Sequence, residues 1–470
     1  MQRKKQKQAW RYLLAILVLL ATAGILCDYF LTRNRIYAGV CLEHLDLGGK
    51  TAEEAKLLLR GALAAVNFPA MPVTLTHGEA EFTATCRELG ITADLEKIVA
   101  DAFAAGRSVP YLFRFLGRLQ LAREGRKLSP AIQIDNKQFA ATLAELCRSL
   151  DVEPVNAELE LSADRKSVSI VSDRPGRKVD IAATARVLQQ TLKSLFRPLA
   201  AELVLTPVQA EVTAAQLEAL AIKEPVATYT TLVSDGIPNR VHNIRLAAAA
   251  LDKIIIYPGE EFSFNAVVGD TTEAKGYKTA PVIVNGELVD GLGGGVCQVS
   301  TTLYNAVLRA NLKILERRNH SLYVDYVPPG FDATVAYGSI DLRFANTHPY
   351  PLWLRTFLDG NRLTVTLYST RLAGQKTEVY ATDVATIPAG EKILETRELP
   401  KGTRKLVKKG KNGYKATVWR VTTVNGEEKK EKISQDSYKA VPAEYLVGTG
   451  EVPAAGGQEA KGKAETAGTE

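Results

Sequence analysis

The stretch GLGGGVCQVSTTLYNAVLRANL, residues 291–312, sets the reading of the whole chain. Gly291, Gly293, Gly294 and Gly295 fall within five positions, and Cys297 follows past one intervening residue, Val296. Beyond it Val299, Leu303, Ala306, Val307 and Ala310 keep the spacing of a helix. Ser300 or Thr301 is expected to cap its start. Cys297 is thus expected at or just before a helix N-terminus. Free backbone N–H groups and the helix dipole favour a thiolate there. Consecutive glycines permit a tight turn and the close approach of a ligand backbone. The same amides suit an oxyanion.

A nucleophilic thiol needs a base. His320 lies 23 residues on, at the start of the strand-like HSLYVDY. Asp332, 12 residues further, or Asp341 is available to orient the imidazole. Cysteine at a helix start, then His and Asp on following strands, is the order of transglutaminase-like and papain-like folds, which is an analogy of order. Plainer readings stand beside it. A cysteine in a glycine loop also serves as small packing. His320, after ERRN, also reads as a structural histidine or part of an anion-binding patch. Asp332 in PPGFDATV also reads as a turn cap. Gln298 and the hydroxyls of Thr301 and Thr302 suit either an amide-rich or sugar ligand or the helix cap.

Outward from this stretch the texture changes by segment. At about 150 residues per domain, 470 residues suggest roughly three domains. A net charge of +7 is mild and spread out, so we expect no nucleic acid as partner. Attraction to an anionic surface such as a membrane or cell wall fits better. The N-terminus, MQRKKQKQAWR, is basic, and residues 12–31 are apolar with one charge, Asp28. About 20 apolar residues suffice to span a bilayer. We expect residues 1–11 in the cytoplasm, residues 12–31 as a single transmembrane helix, and the bulk outside the membrane. Ala21 and Ala23 leave a cleaved signal peptide as the alternative. The five cysteines show no C-x-x-C, so neither a disulfide framework nor a metal site is expected, and no cofactor. Cys86 and Cys147 sit in apolar patterns and are expected to be buried.

Residues 36–215 read as two related α+β units of strand, turn, strand and helix. Thr51 and Glu54 form a capping-box pattern before a helix from Ala52. Residues 223–370 read as a mixed α+β domain with a helix at 244–251, a hairpin at Asn285-Gly286 and another at Asp359-Gly360 or Gly360-Asn361. The part after the cysteine helix reads as nearly all strand and turn. Residues 375–450 read as an extended all-β module of strands and glycine turns. Residues 451–470 lack large apolar residues and are expected to be disordered. The fold class is therefore α+β multidomain.

The blocks PGEEFSFN, GGGVCQVSTTLYNA, His320 and PGFDATV occur in an order that resembles the VanW family over about residues 225–370. The upstream repeats resemble a peptidoglycan-binding domain that often precedes it. The last module, with Gly402, Gly410, Gly413, Gly426 and VGT at 447–449, is similar to the extracellular G-five domain. The family's central block carries over onto Gly293, Gly294, Gly295, Cys297, Gln298, Thr301, Thr302 and His320. The resemblance implies a bacterial surface protein at the cell wall, in a family tied by name to vancomycin-resistance clusters. It assigns no reaction. Two functions follow as expectations. One is a membrane-anchored protein that binds peptidoglycan or another wall glycan, with Gly293, Gly294, Gly295, Gln298, Thr301 and Thr302 lining the ligand. The other is a cysteine amidase, peptidase or acyltransferase on wall peptides, with Cys297, His320 and Asp332 as its catalytic set.

Overall fold

The computed structural model describes residues 2–450 apart from residues 109, 111, 112, 235 and 285. The tail expected at 451–470 and Asn285 of the expected turn lie outside these described residues. The protein is mixed α+β and divides into two compact units. One runs to Asn156 and adds Asp173–Glu211; the other comprises Ala157–Ser172 and the chain from Val212 onward.

The first unit opens with the helix Gln2–Thr32. Its stretch Gln6–Thr32 is long and apolar enough to cross a membrane, a test that a signal sequence also passes. Thr51 and Glu54 form the expected capping box at the start of the helix Ala52–Ala65. The hairpin Pro72–His77 with Ala80–Thr85 is joined in parallel by Leu199–Glu202. The core gathers Leu42, Leu59, Val73, Leu75, Leu89, Phe139 and Leu143 with Cys86 and Cys147. Both cysteines are fully buried, as their patterns predict.

The second strand–turn–strand–helix run does not stay together. Its hairpin, Glu158–Leu161 with Val168–Val171, lies in the second unit, while its helix Ile181–Thr191 lies in the first. The reason is apolar. Leu159, Leu161 and Val168 of the hairpin pack on Ile222, Trp353 and Tyr368.

The second unit is built on a four-stranded antiparallel sheet in the order Glu224–Leu232, Arg362–Ser369, Leu352–Asp359, Ile254–Ile256. The helices Pro238–Leu251 and Val296–Arg309 pack on this sheet and on each other. The first begins six residues before the expected 244, because Pro238 supplies its first turn. That extension brings Arg240 onto the helix.

The cysteine helix Val296–Arg309 has the predicted apolar face, with Val299, Leu303, Ala306 and Val307 fully buried. Its polar face is buried too. Gln298, Ser300, Thr301, Thr302 and Asn305 are at most 1% exposed. Gln298 and Thr302 are covered by the strand Glu224–Leu232, and Ser300, Thr301 and Asn305 by the loop that follows the helix. Ser300 Oγ donates to the Ala333 carbonyl at 2.7 Å, Thr301 Oγ1 accepts from Ala333 N–H at 3.0 Å, and Asn305 donates to the Phe331 carbonyl at 2.6 Å.

Two local expectations are corrected here. Ser300 and Thr301 do not cap the helix; Gly295, at φ +109°, is the N-cap and gives no side-chain bond. The segment 317–342 is not strand but irregular loop, held by isolated bridges between Arg318 and Thr334 and between Ala336 and Ile340. Its backbone groups find partners in side chains of the buried helix instead of a ladder.

The C-terminal module is all-β. Gln375–Ile387, Gly413–Val424 and Glu427–Tyr438 form one antiparallel sheet. Glu391–Pro400, Ala443–Gly450 and Arg404–Lys408 form another. The first sheet reaches the cysteine helix. Arg420 donates to the Leu312 carbonyl at 2.7 Å, and Thr422 to Asn311 at 3.0 Å.

Candidate functional site

Cys297 is the second residue of its helix, on the first turn, between Val296 and Gln298, whose N–H groups donate to the Gly293 and Gly295 carbonyls at 3.1 and 2.9 Å. The residue is partly buried. Its sulfur lies 3.4 Å from the Val335 carbonyl and 3.6 Å from Thr334 Oγ1. The third neighbour is the His320 imidazole, close enough to act on the titration of the thiol.

His320 comes from the loop rather than a strand and is 6% exposed. Its Nδ1 meets Asp332 Oδ2 at 2.6 Å, and the same oxygen accepts the His320 backbone N–H at 2.7 Å. Nε2 is thereby left for the sulfur. Asp332 is 1% exposed. Its second oxygen, Oδ1, accepts from Arg317 at 3.3 Å and from the Tyr438 hydroxyl. Arg317 is pinned in turn by Asp436 at 2.7 Å.

The electrostatics follow from this chain. Burial pushes the Cys297 thiol up, but the hydrogen bond and charge of His320, with help from Val335 and Thr334, bring it below its ordinary value. Burial pushes His320 down, but the hydrogen bonds to Asp332 and Cys297 raise it to about 9. Burial raises Asp332, and His320 and Arg317 lower it below the usual carboxylate range. These shifts all run toward a thiolate–imidazolium pair on a buried carboxylate. Tyr438 is raised by burial and by the nearby Asp332, so it stays a neutral donor.

Arg240 completes the charge balance. It is partly buried, and burial lowers it, while Cys297 and the neighbouring Tyr326 and Asp325 raise it. Its guanidinium donates to Gln298 Oε1 at 2.6 Å. Arg240, Arg317 and His320 thus lie among the acidic groups Cys297, Asp332 and Asp436.

The structure brings Cys297, His320 and Asp332 together. It separates Asp341, which accepts Ser263 at 2.5 Å and Asn265 N–H at 2.9 Å and holds a different turn. The expected ligand-lining residues face inward. Gln298 spends its amide on Thr231 and the Leu232 carbonyl, and Thr302 bonds Thr231 and the Gln298 carbonyl. The glycines are close-packed on the chain itself. A Cβ on Gly293 would come within 2.7 Å of Thr271, on Gly294 within 2.6 Å of the Pro281 carbonyl, and on Gly295 within 2.9 Å of Arg240. Bare backbone serves here for close packing, not for an open ligand groove.

Sequence reasoning missed Arg317, Tyr438, Asp436, Arg240 and Tyr326. Arg317 stands three residues before His320, and that proximity was its only signal. Tyr438 and Asp436 lie more than 100 residues from Asp332 and gave none. Among the described residues, no group of three or more His, Cys, Asp or Glu is arranged to hold a metal ion.

Comparison with known proteins agrees with the three textures. Residues 239–368 match the family model described as "VanW like protein". Residues 82–199 match "Putative peptidoglycan binding domain", and residues 378–450 match "G5 domain". The chain is 49% identical over 146 residues to "Uncharacterized protein YoaR" of Bacillus subtilis, covering 31% of this chain and 48% of that one. It is 36% identical over 124 residues to "Vancomycin B-type resistance protein VanW" of Enterococcus faecalis, covering 25% and 45%. The chain thus spans about half the length of each of these relatives. A solved "IgA1 Protease G5 domain structure" is 27% identical, over 16% of this chain and 92% of that one, with a TM-score of 0.14. The chain therefore carries a VanW-like domain between a peptidoglycan-binding-type domain and a G5 domain, the make-up of a cell-wall-associated protein.

Proposed function

We propose that the VanW-like domain is a cysteine acyltransferase or amidase that acts on peptidoglycan peptides through a thioester. The observation that carries this reading is the 2.6 Å contact of the His320 imidazole with the Asp332 carboxylate, beside a Cys297 thiol that the same imidazole lowers. Nucleophile, base and orienting carboxylate stand in the functional order of a triad.

The Cys297 thiolate attacks an amide carbonyl of a stem peptide. The oxyanion forms beside the first turn of the cysteine helix, whose dipole favours negative charge. His320 gives its Nε2 proton to the departing amine, and the C–N bond breaks. A thioester remains on Cys297. Water or a second amine then attacks it, His320 takes the incoming proton, and the C–S bond breaks. Water yields hydrolysis; an amine yields a new amide. Asp332 keeps the imidazole aligned throughout. Arg240, beside the sulfur, is suited to meet a carboxylate or carbonyl oxygen of the peptide.

The flanking modules fit the delivery of this chemistry. We place the first unit and the G5 domain on wall glycan or stem peptide, and the N-terminal helix in the membrane as an anchor, with the bulk of the chain outside. Peptidoglycan binding without turnover is the rival reading, and the two flanking family matches favour it.

The test is to incubate the purified chain with muropeptides and to record its intact mass. An adduct on Cys297 equal to an acyl fragment, absent in Cys297→Ser, supports the reading. Pelleting with isolated cell walls, with no adduct and no change in the muropeptides, leaves wall binding alone.

A further inference from the structure

We propose that Tyr438, from the C-terminal β module, is a positioning residue for Asp332, so that the G5 domain completes the cysteine site. The inference rests on the reading above for the purpose of that site. Its own grounds are geometric.

Tyr438 ends the strand Glu427–Tyr438 and is 1% exposed. Its hydroxyl donates to Asp332 Oδ1 and accepts the Gly330 N–H at 2.7 Å. Asp332 Oδ2 is committed to His320. Without Tyr438 the other oxygen keeps only Arg317, at 3.3 Å. That longer contact holds the carboxylate plane less firmly, and the imidazole is held less firmly with it.

The surrounding contacts argue that this meeting is built. Residues on either side of His320 bond residues on either side of Tyr438. Asn319 donates to the Ser437 carbonyl at 3.1 Å, and Lys439 N–H donates to the Ser321 carbonyl at 2.9 Å. Asp436, from the same strand, pins Arg317. Tyr323 of the loop packs on Tyr414 and Tyr438, with ring centroids 4.6 and 6.0 Å apart. Gly330, at φ +94°, lies so close to Val418 of the module that a Cβ there would overlap its side chain. The PGFD turn is therefore shaped to receive this strand. A module acting only as a glycan hook has no need to bury a tyrosine against the carboxylate of a Cys–His–Asp array.

The test uses the full chain in detergent and follows alkylation of Cys297 by iodoacetamide against pH. The groups facing the His320–Asp332 pair are Cys297, Arg317, Asp436, Tyr304, Tyr323, Tyr326 and Tyr438 itself. Tyr438→Phe removes only the hydroxyl. It should slow alkylation at pH 7 by about tenfold and move the profile up by about one unit, since a unit of pKa is a factor of ten. In an Asp332→Asn background the same change should add nothing, because Tyr438 acts through that carboxylate. A wild-type profile in folded Tyr438→Phe, or additive effects in the double variant, would overturn the proposal. Should Tyr438→Phe fail to fold, 3-fluorotyrosine placed at 438 strengthens the donor while keeping the shape. It should move the profile, and an unmoved profile refutes the link. This readout needs no substrate. Absence of muropeptide turnover sinks the proposed function and leaves the positioning role standing; turnover with an insensitive Tyr438→Phe does the reverse.

Discussion

Two kinds of cysteine lie in this chain, fully buried ones in the first unit and a partly buried one in the second. In the first unit Cys86 and Cys147 are packed among aliphatic side chains. Burial pushes each thiol up to about 11. In the second unit Cys297 feels burial as well, yet its thiol is lowered. The element that differs is the His320–Asp332 pair. Desolvation alone makes a cysteine inert; desolvation beside a held imidazole makes it a nucleophile. The Cys86 and Cys147 sites thus serve as internal controls for Cys297.

The largest expected effect breaks the comparison outright. Cys297→Ala should abolish muropeptide turnover and acyl-adduct formation. Cys86→Ala should leave both intact and cost only about 1 kcal/mol of stability, read by denaturant unfolding. Next, His320→Ala should lower turnover by about 10²–10⁴-fold, the usual worth of a general base. It should also bring Cys297 toward the inertness of Cys86, checked by alkylation at neutral pH.

The fold was largely legible from residue patterns, and the comparison shows where legibility ended. Apolar spacing marked the cysteine helix, the Thr51–Glu54 box marked a helix start, and alternation marked the hairpins. Cys297, His320 and Asp332 were legible because their residue types suit nucleophile, base and orienter. Patterns of exposure misled elsewhere. A polar stripe at Gln298, Ser300, Thr301 and Thr302 reads as a ligand face or helix cap, but here Ser300 and Thr301 bind the irregular loop and Gln298 and Thr302 bind Thr231. The glycines read as an open cradle, but Thr271, Pro281 and Arg240 fill the space beside them. Tyr438 was illegible because its meeting with Asp332 depends on how a distant strand docks.

Smaller effects sharpen the contrast. Asp332→Ala leaves the imidazolium and Arg317 short of a buried counter-charge, which should cost about 3–5 kcal/mol, read as a fall in the denaturation midpoint. The same network should respond to pH with a defined sign. His320 is raised to about 9, so its contribution to stability is full below its ordinary value of 6.5 and is lost as pH rises through about 9. Cys297 and Asp332 are lowered, so their contributions are present above their ordinary values and are lost as pH falls through the depressed ones. Denaturant unfolding between pH 6 and 10 should show the alkaline loss, and His320→Ala should flatten it. Smallest is Gly295→Ala. A side chain at φ +109° against Arg240 should cost about 1–3 kcal/mol and shift Arg240, read as a lower melting temperature with Cys86 still unreactive.

The most direct measurement is site-resolved alkylation of the native chain by iodoacetamide across pH, with each cysteine quantified by mass spectrometry. Cys297 should react well below the ordinary thiol range of about 8.5, while Cys86 and Cys147 stay unmodified until the protein is denatured. Cys297 staying silent until it titrates with ordinary thiols, at the same pH with and without His320, would contradict the account.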